Sequence, residues 1–273
     1  MTHNHVSGAG VFLIGNASID NKIRVSSMPY GYDISEGNVP NHQSLTKMGY
    51  NGDIDNLEEE LWVVGGNYVF PASAQQMEVV SSSNDDSGNS TGAWTVVIKY
   101  LDASFNEFSE TVTLKGKTPV ATTATNIYRV NNFRILTAGT GGKAAGDIDI
   151  RNVADTPIYS RIPAGLTRAR NAIYTVPNNK TLYISQITYS MGSSSGNVFA
   201  KFSLRANYDD LNDLKSTIFY PYSEIGVQDG AFTITYVLPM KFPEGVDIKV
   251  SCVGDANNAN GSATVQYRGW LES

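Results

Sequence analysis

Residues 94–114, WTVVIKYLDASFNEFSETVTL, constrain the fold more than any other stretch of this chain. Two runs of β-forming residues, 94–101 and 108–114, flank a polar link that holds Asp102, Ser104 and Asn106. That is the pattern of a β-hairpin. Along 109–114, Val112 and Leu114 alternate with Thr111 and Thr113, which gives one apolar and one polar face. Along 94–101 both faces carry apolar side chains, as in a strand covered on two sides. Comparable runs recur down the chain with almost no helical periodicity, so the sequence predicts an all-β protein.

Turn-rich joints at 81–92, 115–119 and 138–147 separate strand-like runs in a first unit, residues 49–165. A second unit, residues 166–273, repeats the alternation of strands and turns, with a turn about every ten residues. That spacing suits a β-sandwich or jelly roll. The expectation is two β-sandwich or jelly-roll-like units, each able to bury a core without disulfides or metals. The acidic run 55–60 (DNLEEE) predicts a short helix capped by Asp55 or Asn56, and 209–214 (DDLNDL) one helical turn.

Residues 1–48 differ. They are rich in Gly, Asn and Ser, carry Pro29 and Pro40, and hold only two strand-like pieces, at 11–14 and 22–25. This segment reads as an extended N-terminal arm. Met28, Tyr30 and Tyr32, in SMPYGYD, are predicted to dock somewhere, on a neighbouring subunit in the sharper reading, because exposed aromatic clusters are costly.

The chain of 273 residues has a formal charge of −6. A mildly acidic chain lacks the basic footprint of nucleic-acid binding. No apolar run is long enough for a membrane helix, and the N-terminus lacks the pattern of a Sec signal. Cys252, the single cysteine, sits in an apolar run and reads as a small buried hydrophobe.

The chemistry candidates are thin. The three histidines, His3, His5 and His42, all fall in the arm, far from any rigid base–nucleophile arrangement. Residues Gly139 to Ala144 match G-x-G-x-x-A, but a strand pattern follows where a dinucleotide site needs a helix. Asp147 and Asp149 share one strand face and could hold a hard cation, and Asp85-Asp86 sits in a calcium-like loop without the required spacing. A solvent-facing strand and a hairpin loop are the plainer accounts. Tyr220, Tyr222 and Trp270 are candidates for stacking on a sugar. No catalytic residue, cofactor or metal site is predicted, and the chain reads as a non-enzyme.

Three segments, 49–87, 91–136 and 137–150, together with YTVPNNKTLYISQITYSMGSSSG further on, resemble a group of largely uncharacterised tailed-bacteriophage virion proteins found in environmental phages. The resemblance implies a structural part of a virion and supplies no catalytic residues. The specific expectation is a capsid decoration or cement protein, assembled in the host cytoplasm as a homo-oligomer, a trimer being favoured. Its partners would be the major capsid protein or other virion proteins. The alternative is a tail, baseplate or fibre component that binds a host receptor or glycan.

Overall fold

The computed structural model describes residues 11–13, 25–27, 30–193, 199–255 and 261–273. Among these residues the chain is all-β apart from one short helix. In chain order the elements are β1 (Val11–Leu13), β2 (Val25–Ser27), α1 (Tyr30–Ser35), β3 (His42–Asn51), β4 (Glu59–Glu60), β5 (Met77–Ser81), β6 (Ala93–Leu101), β7 (Glu107–Thr113), β8 (Val120–Ala121), β9 (Arg129–Ala138), β10 (Ile148–Asn152), β11 (Ile158–Ile162), β12 (Tyr174–Thr175), β13 (Thr181–Ser193), β14 (Phe199–Asp209), β15 (Leu214–Gln228), β16 (Gly230–Phe242), β17 (Asp247–Gly254) and β18 (Gly261–Glu272).

Two sandwiches form. In the smaller, the sheet β11-β10-β5-β8 faces the sheet β7-β6-β9. Met77, Val79, Val96, Ile98, Phe133, Ile148 and Ile150 fill the space between them. The predicted hairpin is there as β6–β7, with Val96 opposite Val112 and Tyr100 opposite Phe108.

In the larger sandwich, β16-β13-β18-β3 faces β12-β17-β14-β15. Following the chain through β3, β12, β13, β14, β15, β16, β17 and β18, each step crosses to the opposite sheet except the β14–β15 hairpin. That is a jelly roll, the eight-stranded double-sheet arrangement. Its core contains Leu182, Ile187, Tyr189, Phe202, Leu204, Val250, Val265 and Tyr267. The smaller sandwich is therefore an insertion between the first and second strands of the jelly roll.

This connectivity corrects two sequence expectations. The boundary expected at residue 49 falls inside β3, which pairs with β18 from Asn51–Ala263 to His42–Glu272. Residues 42–48 thus belong to the jelly-roll sheet and not to an arm. The polar sequence HQSLTKMGYN hides this, because Lys47, Gly49 and Asn51 occupy the buried positions of the strand. Gly49 is needed there, since a β-carbon would collide with Leu61 O and Ala172 Cβ. Nor does DNLEEE form a helix. Glu59 accepts backbone amides of Asp55 and Gly66, and Glu60 accepts that of Tyr68 while pairing with Lys249. The acids satisfy a folded-back loop. At 209–214 the chain makes the β14–β15 turn.

Candidate assembly surface

The chemistry candidates disperse in three dimensions. His3, His5 and Met28 lie outside the described residues. The ring nitrogens of His42 contact Tyr30 Oη at 2.7 Å and Pro40 O at 2.8 Å. Cys252 is buried in β17, and burial pushes its thiol up to about 12, so it stays protonated and unreactive at neutral pH. Asp149 forms a bidentate pair with Arg161 at 2.6 and 2.7 Å, and Asp147 lies 3.5 Å from the same guanidinium. An arginine, not a cation site, answers that carboxylate pair. Asp86 is fully buried and accepts four hydrogen bonds, from Ser81 Oγ and the amides of Ala93, Ala145 and Gly146. It ties the 81–92 loop to the 138–147 loop. Residues 139–144 form a turn that leads into β10, so no helix terminus is available for a pyrophosphate. Among the described residues no group of three or more His, Cys, Asp or Glu is placed to hold a metal.

The aromatic candidates also separate. Tyr30 meets Trp270 and His42 edge-on, with ring centroids 5.6 and 5.7 Å apart, and Trp270 stacks on Tyr183 at 5.3 Å. Tyr30 therefore docks on its own chain, where α1 lies over β3 and β18. Tyr32 stays half-exposed. Tyr220 and Tyr222 belong to β15, in the opposite sheet from Trp270, so the three do not form one platform.

What the fold does bring together lies on its two lateral sides. The β3–β12 side is closed by the inserted sandwich through a buried polar seam. Arg129 of β9 reaches Asp247 of β17 with Nε–Oδ1 at 2.8 Å and Nη2–Oδ2 at 3.0 Å. Asp247 also accepts from Thr175 Oγ1 at 2.6 Å and Asn207 Nδ2 at 3.2 Å. The guanidinium lies against the rings of Tyr128 and Phe70. Asn131, also on β9, mimics a strand partner for β12: its Nδ2 donates to Thr175 O at 2.8 Å and its Oδ1 accepts from Thr175 N at 2.9 Å. Beside it Lys47 of β3 donates to Asn131 O at 2.8 Å and to Asn171 Oδ1 at 3.0 Å. No carboxylate pairs with this lysine among the described residues, and burial lowers its pKa to about 7. The seam compensates its buried polar atoms with hydrogen bonds. Sequence reasoning missed it, because its hydrogen-bonded partners are isolated polar letters up to 124 positions apart.

Among the described residues the β15–β16 side has no such cover. These strands, 15 and 13 residues long, are the outer members of their sheets. Leu214, Ile218, Phe232, Val237 and Leu238 are exposed there, and Leu211 just outside the strands. Between Ile184–Met240 and Gln186–Thr235 the β13–β16 ladder slips, so residues 236–239 of β16 stand opposite Ser185 alone. Tyr236 turns inward to donate to Ser223 Oγ, whereas Val237 and Leu238 are left 96% and 85% exposed. A bulge on an edge strand re-aims side chains in this way.

No family model matches this chain, and no curated protein does. Solved structures give weak likenesses. One, of infectious bursal disease virus Gt strain, is 11% identical, covers 89% of this chain and 77% of that one, and has a TM-score of 0.17. The Gx strain of the same virus gives 10% identity, 85% and 76% coverage, and a TM-score of 0.19. The crystal structure of the infectious bursal disease virus VP2 subviral particle gives 11% identity, 86% and 77% coverage, and 0.17. None of the three is described as a tailed-phage protein, and at such TM-scores they carry no argument about this chain.

Proposed function

We propose that this chain is a structural protein of a virion, most specifically a capsid decoration or cement protein of a tailed phage. It acts by protein–protein contact and not by catalysis. The observation that carries the reading is the β15–β16 side, which no described residue covers and whose two long edge strands hold several exposed apolar residues. Monomeric proteins normally blunt or cover such edges, and large exposed apolar patches mark contact sites. The sequence resemblance supplies the setting: the major capsid protein or another virion protein as partner, a homo-oligomer, a trimer in the favoured form, and assembly in the host cytoplasm. Jelly rolls also serve as lectins and enzymes, so the fold by itself does not choose.

A second reading, a tail, baseplate or fibre component that binds a receptor or glycan, draws on a polar cleft of about 260 Å³ lined by Glu58, Lys201, Ser203, Arg205 and Phe219. Charged groups beside an aromatic ring suit a sugar. Immunogold labelling of intact particles separates the two. Label distributed over the head supports decoration, label confined to the tail supports the second reading, and unlabelled particles overturn both.

A further inference from the structure

The sheet β16-β13-β18-β3 carries two features at one level along its strands. The first is the knob formed by Val237 and Leu238, which stands opposite Ser185 at the β16 edge. The second is a cleft of about 350 Å³ toward the other edge, where α1 bridges β3 and β18. Ile34, Leu45 and Trp270 supply its apolar lining, beside the hydroxyl-bearing Ser35, Ser44, Thr46 and Ser185 and the bare Gly269. A β-carbon at Gly269 would collide with Tyr183 O. The register aligns the two features: Ile184 and Gln186, which flank Ser185, pair with Gly269 and Arg268, and these pair with Leu45 and Thr46.

We propose that the knob of one copy seats in the cleft of the next, so that copies of this chain associate head to tail. Knob and cleft lie two to three strand spacings apart, roughly 10–15 Å at ~4.8 Å per strand, with no offset along the strands. Residues 236–240, YVLPM, carry no charge, and the cleft walls hold one, Arg268, so a neutral partner meets a nearly neutral site. The volume is at the small end of ligand clefts, about 300–1,000 Å³, which suits a few aliphatic side chains better than a large ligand. A heterologous contact of this kind closes into a ring when its rotation allows. The inference deepens the proposed assembly role and rests on that reading for its biological setting.

Sedimentation of the purified full chain tests it. The wild type is expected to form a concentration-dependent oligomer. The double substitution Val237→Asp/Leu238→Asp removes the knob, and Gly31→Trp fills the cleft from α1, where a β-carbon meets nothing within 4 Å. Each variant is expected to sediment as a monomer. Mixed together they retain one intact knob and one intact cleft, and should form a one-to-one dimer that grows no further. Ser35→Trp on the same helix replaces Gly31→Trp if the latter fails to melt like the wild type. A wild type that stays monomeric at its solubility limit, folded variants that assemble normally, or a mixture that stays monomeric overturns the proposal. Oligomers that never label particles would sink the virion role and leave this interface standing. Particle decoration by a monomeric chain would do the reverse.

Discussion

On the β3–β12 side of the jelly roll, the open space between the sheets is closed from within the chain. Arg129, Asn131, Lys47 and Asp247 form a buried polar seam there, and nearly every polar atom in it has a partner. On the β15–β16 side the same kind of opening is closed only in part, by Tyr222, Tyr236 and Ser223, and apolar side chains project past it into water. Both sides belong to one sandwich. The difference shows where the chain completes itself and where it leaves contact area for something else. It also sets where substitutions will act on folding and where they will act on association.

The largest effect on that comparison comes from the N-terminal segment. Deleting residues 1–48 removes most of β3, uncovers one edge of β18 and takes away Lys47. The product is expected to lose its cooperative melting transition and to aggregate. Deleting residues 1–29 leaves α1 and β3 in place and should preserve the transition; circular dichroism melting reads both. A folded 1–48 deletion would show that the insertion does not depend on β3.

Next in size is the ion pair. Asp247→Ala leaves Arg129 charged and buried without its partner, a change that typically costs about 3–5 kcal/mol. Arg129→Met combined with Asp247→Leu removes both charges and should recover much of that loss, because a buried pair stabilises little relative to apolar groups of similar size. Denaturant unfolding of the three proteins gives the comparison. Equal losses for the single and double variants would mean that the seam holds through its other hydrogen bonds.

Lys47 makes the closed side sensitive to pH. Its folded pKa, about 7, lies below the 10.5 of an unperturbed lysine. The unfolded chain therefore binds the extra proton between these values, and stability from this group rises with pH from 7 to about 10 and is lost as pH falls back to 7. The full difference is at most about 5 kcal/mol. Raised tyrosine pKa values, such as that of Tyr267, work in the opposite sense above pH 10, so the measurement belongs between pH 7 and 9.5. The slope of unfolding free energy against pH is expected to flatten in Lys47→Met, whatever that variant's absolute stability.

How much of this was legible in the sequence depends on range. The β6–β7 hairpin could be read because its alternation and its turn are local: Val112 faces Val96 within one short segment. β3 could not, because its inward positions hold lysine, glycine and asparagine, and Lys47 is answered by Asn131 and Asn171 and Gly49 crowded by Ala172, all far along the chain. The jelly-roll order is equally non-local, since β3 meets β18 more than two hundred residues later. DNLEEE misled for a related reason: acids that would suit the first turn of a helix instead bind backbone amides in a loop. Tyr30 meets the chain's own Trp270 edge-on, a contact between residues 240 positions apart. Val237 and Leu238, by contrast, sit in an ordinary apolar strand pattern, and only the slipped ladder at Ser185 turns them outward.

The smallest effect on folding is expected from those two residues. Leu238 is 85% exposed, so Leu238→Asp removes almost no buried area and introduces a charge already in water. Surface substitutions of this kind usually fall within about ±0.5 kcal/mol. The melting temperature of the dilute protein should therefore match the wild type, while any concentration dependence of melting disappears, since association stabilises by mass action. A control at Val265, buried on the inner face of β18, should behave in the opposite way. Val265→Asp places an unpaired carboxylate in the core and lowers stability at every concentration. If Leu238→Asp melts as poorly as Val265→Asp, the β16 bulge is part of the folded core after all, and the two sides of the jelly roll are not the opposites they look.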